Sequence, residues 1–229
     1  MPVMDLLVLE GIRMSSTALV ISSFHQLFYN SGQWVNNTRW MGVPAQKCPL
    51  DLWVYQELIH EIKPDLIIET GTCYGGSALF MAQMCELAGN GSVLTIDIAA
   101  RENLPKYHRL NCVQGRSIDP GIVSFVSGYV KTTEPYKSEK KIMVVLDSDH
   151  SCDYVFEEMQ AYAPFVTVGS YLIVEDTDVN GHPIVPEHGP GPAEAVARFL
   201  VTHPEFEVDT AREKFMLTQN PGGYLRRTR

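Results

Sequence analysis

Asp65-Leu-Ile-Ile-Glu-Thr-Gly-Thr-Cys-Tyr-Gly-Gly-Ser77 is a short apolar run that ends in an acid and passes through a glycine-punctuated turn into a helical pattern. Leu66 to Ile68 have the branched, unbroken apolar character of a strand buried on both faces of a parallel sheet. Gly71, Gly75 and Gly76 permit tight turning and close approach of the main chain to a ligand, and Ser77 onward resumes with helical spacing. Strand, glycine turn and helix in that order predict a nucleotide-type site at the head of an α/β fold.

The acid narrows the ligand. A pyrophosphate is held by bare backbone N–H groups at a helix start, and Glu69 would set a negative charge against it. A ligand with cationic ends fits better, and S-adenosylmethionine carries a sulfonium and an ammonium. Asp97, closing the run Val93-Leu-Thr-Ile-Asp, lies roughly twenty residues past the turn, where a carboxylate accepts from ribose hydroxyls.

Working outward, Asp51 is placed as the cap of a helix to Ile62, ended by Lys63-Pro64. Leu110 to Val113 is the third strand, and Gln114-Gly-Arg-Ser-Ile-Asp119 is a turn able to face an adenine ring. Ile142-Met-Val-Val-Leu-Asp147 and Tyr171-Leu-Ile-Val-Glu-Asp176 repeat one design, a buried strand ending in carboxylates. Helices are expected over Ile122–Val130, from Tyr154 to Tyr162, and over Ala193–Val201. Glu205–Val208 and Phe215–Thr218 are expected to form an antiparallel pair at one edge. Strands alternating with helices predict a mainly parallel sheet, with its ligands at the carboxyl ends of the strands. The Gly-, Pro- and His-containing loop from Thr177 to Pro192 and the aromatic N-terminal segment 1–47, with Trp34 and Trp40, are the expected lid, pocket wall or contact between copies.

Composition bounds the function. A chain of 229 residues holds one α/β domain, here drawn as 48–229. A net charge of −9 without a basic cluster excludes a nucleic-acid ligand and favours a small hydroxylated substrate. Five cysteines without paired spacing fit free thiols in a reducing compartment. Met1 to Met14 lacks the positive region of a signal peptide, and no run has spanning length, so a cytoplasmic protein without membrane partners is expected.

The strand-end acids converge on one rim of such a sheet, where they repel unless a cation is bound. Asp147, Glu175 and Asp176 offer the hard oxygens that suit Mg²⁺, and His150 is the candidate base, with His182 and His188 as alternatives. Pairing of the acids with Arg116 or Lys47 is the competing arrangement.

Trp40-Met-Gly-Val-Pro44, Lys47-Cys-Pro-Leu-Asp-Leu-Trp53, Glu69 to Ser77, Leu146-Asp-Ser-Asp-His150, Val174-Glu-Asp176 and Gly189-Pro-Gly-Pro-Ala-Glu-Ala195 together resemble the cephalosporin hydroxylase family. That resemblance, over roughly 35–220, implies a Rossmann-like class I methyltransferase fold. It also implies an S-adenosylmethionine- and Mg²⁺-dependent O-methyltransferase acting on a sugar or secondary metabolite, and a homo-oligomer. By position it implies Glu69, Gly71, Thr72, Gly75, Ser77, Asp97, Ser117 and Asp147 for the cofactor, and Asp147, Glu175 and Asp176 for the metal. His150 stands where the similar catechol O-methyltransferases place a lysine base. A non-haem oxygenase, as the family name suggests, and a non-catalytic adenosylmethionine-binding protein are the alternatives. Iron sites usually take two histidines and one carboxylate, which the strand ends here do not supply.

Overall fold

The computed structural model describes residues 15–133 and 139–229; the N-terminal leader reading and the centre of the charged stretch 131–141 fall outside them. Seven strands form one sheet: β1 (Leu66–Thr70), β2 (Ser92–Asp97), β3 (Leu110–Gln114), β4 (Ile142–Leu146), β5 (Tyr171–Val174), β6 (Phe206–Val208) and β7 (Tyr224–Arg227). Their order is β3-β2-β1-β4-β5-β7-β6. β1 to β5 run parallel, and β7 inserts antiparallel between β5 and β6. The strand order reverses between β1 and β4, which opens a crevice at their carboxyl ends.

Because side chains alternate across a strand, β1 feeds two cores. Ile68, with Val144 and Leu172, packs on the face covered by α4 (Pro120–Thr132), α5 (Cys152–Tyr162) and α6 (Pro192–Leu200) through Val126, Met159 and Phe199. Ile67, with Met143 and Ile173, packs on the opposite face under α2 (Pro49–Ile62) and α3 (Gly76–Ala88) through Leu58, Ile59 and Met81. Each such fully buried aliphatic chain contributes about 1.5–3 kcal/mol. A further helix, α1 (Ser16–Asn30), precedes a two-stranded hairpin, Arg39–Trp40 with Val43–Pro44.

Two local expectations need correction. Cys48, not Asp51, is the N-cap of α2, with Pro49 at the first helical position, where its missing N–H costs nothing. Asp51 turns inward instead and accepts from the Thr218 hydroxyl (2.5 Å), the Gln219 N–H (2.9 Å) and the Tyr224 hydroxyl (3.0 Å). That network also explains the second error. The partner of Phe206–Val208 is Tyr224–Arg227 rather than Phe215–Thr218, because Thr218 to Asn220 bond to side chains rather than to a neighbouring strand. Trp34 stacks on Tyr29, and Trp40 packs edge-on against Phe80 while donating to Gln83. No helix among the described residues is long and apolar enough to cross a membrane.

Candidate active site

The glycine turn closes on itself before it offers anything to a ligand. Gly71 has φ +90° and lies so close to β4 that a Cβ would stand 1.7 Å from the Asp147 carbonyl oxygen. Glu69 is fully buried beneath the turn: one carboxylate oxygen accepts from Ser77 Oγ (2.6 Å), the other from Thr95 Oγ1 (2.6 Å), and Thr72 Oγ1 bonds to Thr95 Oγ1 (2.7 Å). Burial pushes Glu69 up to about 7, against the pull of those hydroxyls. Glu69, Thr72 and Ser77 therefore form an internal knot that fixes the turn. The expected negative charge facing a ligand is placed underneath it.

The open side of the turn borders a cleft of about 370 Å³ lined by Gly71, Asp97, Arg116, Ser117, Ser148 and Tyr154 among others. Asp97 sits at the end of β2 and accepts from the Cys73 N–H and the Ala99 N–H, both at 2.8 Å, which aims the carboxylate and leaves lone pairs free for a ligand. Ser117 Oγ lies 2.9 Å from the Tyr154 hydroxyl, and its carbonyl accepts from Tyr162, so the far wall is also braced.

Beyond Gly71 the carboxyl ends of β4 and β5 meet. Asp147, His150 and Asp176 each present one ligand atom, all within 4.8 Å of one another. His150 Nε2 lies 3.3 Å from Asp176 Oδ2. Burial alone would lower the imidazole's pKa, but Asp176 and Asp147 outweigh it and hold the group above its ordinary value. Asp176 has φ +53°, a strained backbone for a residue with a side chain, and its N–H is tied to Asn220 Oδ1 at 3.1 Å. Glu175 stands apart from this trio. It is buried, bonded to the Tyr55 hydroxyl and 2.8 Å from Lys47 Nζ, which also pairs with Asp147. Of the three expected metal ligands, Asp147 and Asp176 come together here beside His150, the expected base, while Glu175 turns to Lys47 and Tyr55. Two partly exposed hard carboxylates, and an acidic excess over one ammonium, fit a divalent cation.

Residues 32–228 match the family described as rhamnosyl O-methyltransferase/CmcI. The chain belongs to that family. With membership comes the enzyme class expected from the sequence, an S-adenosylmethionine-dependent O-methyltransferase, and the oxygenase alternative falls away. The rhamnosyl O-methyltransferase of Mycobacterium tuberculosis (strain ATCC 25618 / H37Rv) is 37% identical over 212 residues, covering 90% of this chain and 84% of the relative. That of Mycobacterium leprae (strain TN) is 36% identical over 221 residues, with 94% of each covered. Among solved structures, the D160 form of CmcI with Mg and SAM superposes with TM-score 0.61 at 18% identity, over 84% of this chain and 77% of that one, a likeness of fold.

Sequence reasoning missed the buried pair His25 Nε2 and Asp178 Oδ2 (2.8 Å), which docks α1 on the loop after β5. It also missed Glu158, buried on α5 and accepting from Ser148 Oγ at 2.7 Å behind the cleft. Helical spacing hinted at Glu158, which stands among apolar positions of α5. No local signal pairs His25 with a residue 153 positions away.

Proposed function

We propose that this chain methylates a hydroxyl of a sugar residue, with S-adenosylmethionine as donor and a divalent ion such as Mg²⁺ at the strand-end carboxylates. The observation that carries the reading is the group Asp147, His150 and Asp176 just past the carboxyl ends of β4 and β5, with Asp147 and His150 next in sequence to Ser148 and Asp149, which line the cleft at the switch point of the sheet. The sugar acceptor is supported by the names of the mycobacterial relatives. The ion is supported by the donor chemistry here and by the Mg and SAM in the CmcI structure.

When bound, the donor supplies a methyl on a sulfonium and the ion a positive charge for the accepting oxygen. The rest falls to side chains. Asp97 and Ser117 hold the nucleoside end in the cleft. Asp147 and Asp176 would hold the ion, and Asp176 orients His150. His150 takes the acceptor's hydroxyl proton at the ring nitrogen turned away from Asp176, which makes the oxygen nucleophilic at the moment of transfer. Helix α1 and the loop after β5, joined by His25 and Asp178 and by Gln26 Nε2 donating to the Pro183 carbonyl (3.1 Å), form the acceptor wall.

Incubation with S-adenosylmethionine and a panel of rhamnosyl and other deoxysugar glycosides tests this. Adenosylhomocysteine should form together with an acceptor heavier by one CH₂ unit, and EDTA should stop both. Absence of adenosylhomocysteine across the sugar panel, with turnover on phenols instead, overturns the sugar assignment. His150→Ala should lower kcat by about 10²-fold or more with little change in donor affinity.

A further inference from the structure

Lys47 is a lysine in a place lysines avoid. It is 3% exposed, at the junction between the hairpin and α2. The main chain around it is fixed: Ala45 N–H donates to the Thr38 carbonyl (3.0 Å), and Cys48 N–H to Gln219 Oε1 (3.0 Å). Pro44 and Ala45 press so closely on Gly76 that a Cβ there would lie 2.2 Å from the Pro44 carbonyl oxygen. The ammonium is therefore delivered to one point, between Asp147 Oδ2 and Glu175 Oε1. Burying an ammonium is costly unless carboxylates meet it, and here it meets two.

We propose that Lys47 is the resident counter-cation of the strand-end cluster. It positions Asp147 and Glu175 when no divalent ion is present, and by its charge it sets how tightly such an ion is held. The inference rests on the reading of that cluster as a cation site. Asp147, Glu175 and Asp176 carry three negative charges against one from Lys47, an excess equal to a single divalent ion. Glu175 is kept in place by the lysine and Tyr55, and Asp147 is shared between the lysine and the trio with His150 and Asp176. Without Lys47 the same acids would repel one another in a buried setting, with only the His150 imidazole beside Asp176 and a bound ion left to hold them.

The test uses the full chain and the metal alone. Binding of Mn²⁺ is measured by electron paramagnetic resonance, and thermal midpoints are measured in EDTA and in Mg²⁺, for the natural chain, Lys47→Met and Lys47→Arg. Lys47→Met should melt lower in EDTA, gain more from Mg²⁺ than the natural chain, and bind Mn²⁺ on the order of tenfold more tightly, because a like charge beside the ion is gone. Lys47→Arg, which keeps the charge, should stay near the natural chain in its Mg²⁺ response. A Lys47→Met variant that melts with the natural chain in EDTA, or binds Mn²⁺ no more tightly, overturns the proposal. Should Lys47→Met fail to fold, Lys47→Met combined with Glu175→Gln should recover a soluble protein in EDTA; failure to recover overturns it as well. A natural chain that binds no Mn²⁺ refutes the cation-site reading instead, so the two failures are distinct.

Discussion

Gly71 shows how much of the site is decided by one missing methyl group. Its φ of +90° and the 1.7 Å that would separate a Cβ from the Asp147 carbonyl make two separate demands, backbone strain and backbone collision. Gly89, at the end of α3, makes only the first: its φ is +73° and nothing lies within 4 Å of a Cβ. Gly89→Ala should therefore cost about 1–2 kcal/mol of stability, the price of a left-handed alanine, and leave donor affinity unchanged. Gly71→Ala must also push β4 away from the turn, so it should weaken S-adenosylmethionine by about tenfold or more on top of a larger loss of stability. Calorimetric titration beside thermal melts separates the two; equal donor affinity in both variants would show that the contact with Asp147 is incidental. The glycines were legible in the sequence because a turn needs them. The destination of Glu69 was not, since a strand-end acid reads the same whether it faces a ligand or is buried under hydroxyls from α3 and β2.

At the scale of elements, β1, β4 and β5 could be read because each is a fully buried apolar run before a polar turn, and β2 breaks that pattern only at Thr95, whereas β3, Leu-Asn-Cys-Val-Gln on the sheet's edge, is mixed and half-exposed. The last strand could not be read. Phe215-Met-Leu-Thr218 has the better strand composition, yet it is drawn into the Asp51 network, while Tyr224–Arg227, mixed in character, fills the place beside β5. The loop after β5 stood out in the sequence only by its length. Its order comes from Glu194 on α6, which accepts from Gly191 N–H (2.7 Å), Asn180 Nδ2 (2.9 Å) and His182 Nε2 (2.9 Å). Burial would raise this carboxyl, but those three bonds win and bring it down to about 2. A depressed folded pKa means a contribution present above the unfolded value of 4.5 and lost as pH falls toward about 2. Glu194→Gln should therefore lower the thermal midpoint at about pH 6, and the gap to the natural chain should close as pH falls through that window. Proteolysis of the loop between β5 and α6 should quicken in the same variant. A gap that persists unchanged into acid would mean that Glu194 acts through shape rather than charge.

For the whole molecule, acidity and burial combine in a way that net charge alone does not disclose. Asp51 in the first turn of α2, Glu69 under the glycine turn and Glu158 behind the cleft are all pushed up to about 7, chiefly because each is out of contact with water. In the unfolded chain the same groups lose their protons near 3.8 for Asp51 and 4.5 for Glu69 and Glu158. Between those values and about 7 the folded state binds more protons than the unfolded one, so stability must fall as pH rises. Each group contributes a slope of up to about 1.4 kcal/mol per pH unit across its own interval. Urea unfolding in EDTA, from about pH 5 to pH 8, should show stability declining steadily toward the alkaline end. Glu158→Gln removes one titrating proton while keeping a neutral side chain of the same shape, able to accept from Ser148. It should leave stability near that of the natural chain at the acid end and make the decline shallower. A natural chain whose stability holds level or rises over that range, or a Glu158→Gln variant with the same slope, would show that these carboxyls are already ionised in the folded protein. The turn, the cleft wall and the Asp51 network would then have to tolerate buried charge that their hydroxyl and N–H donors satisfy on their own.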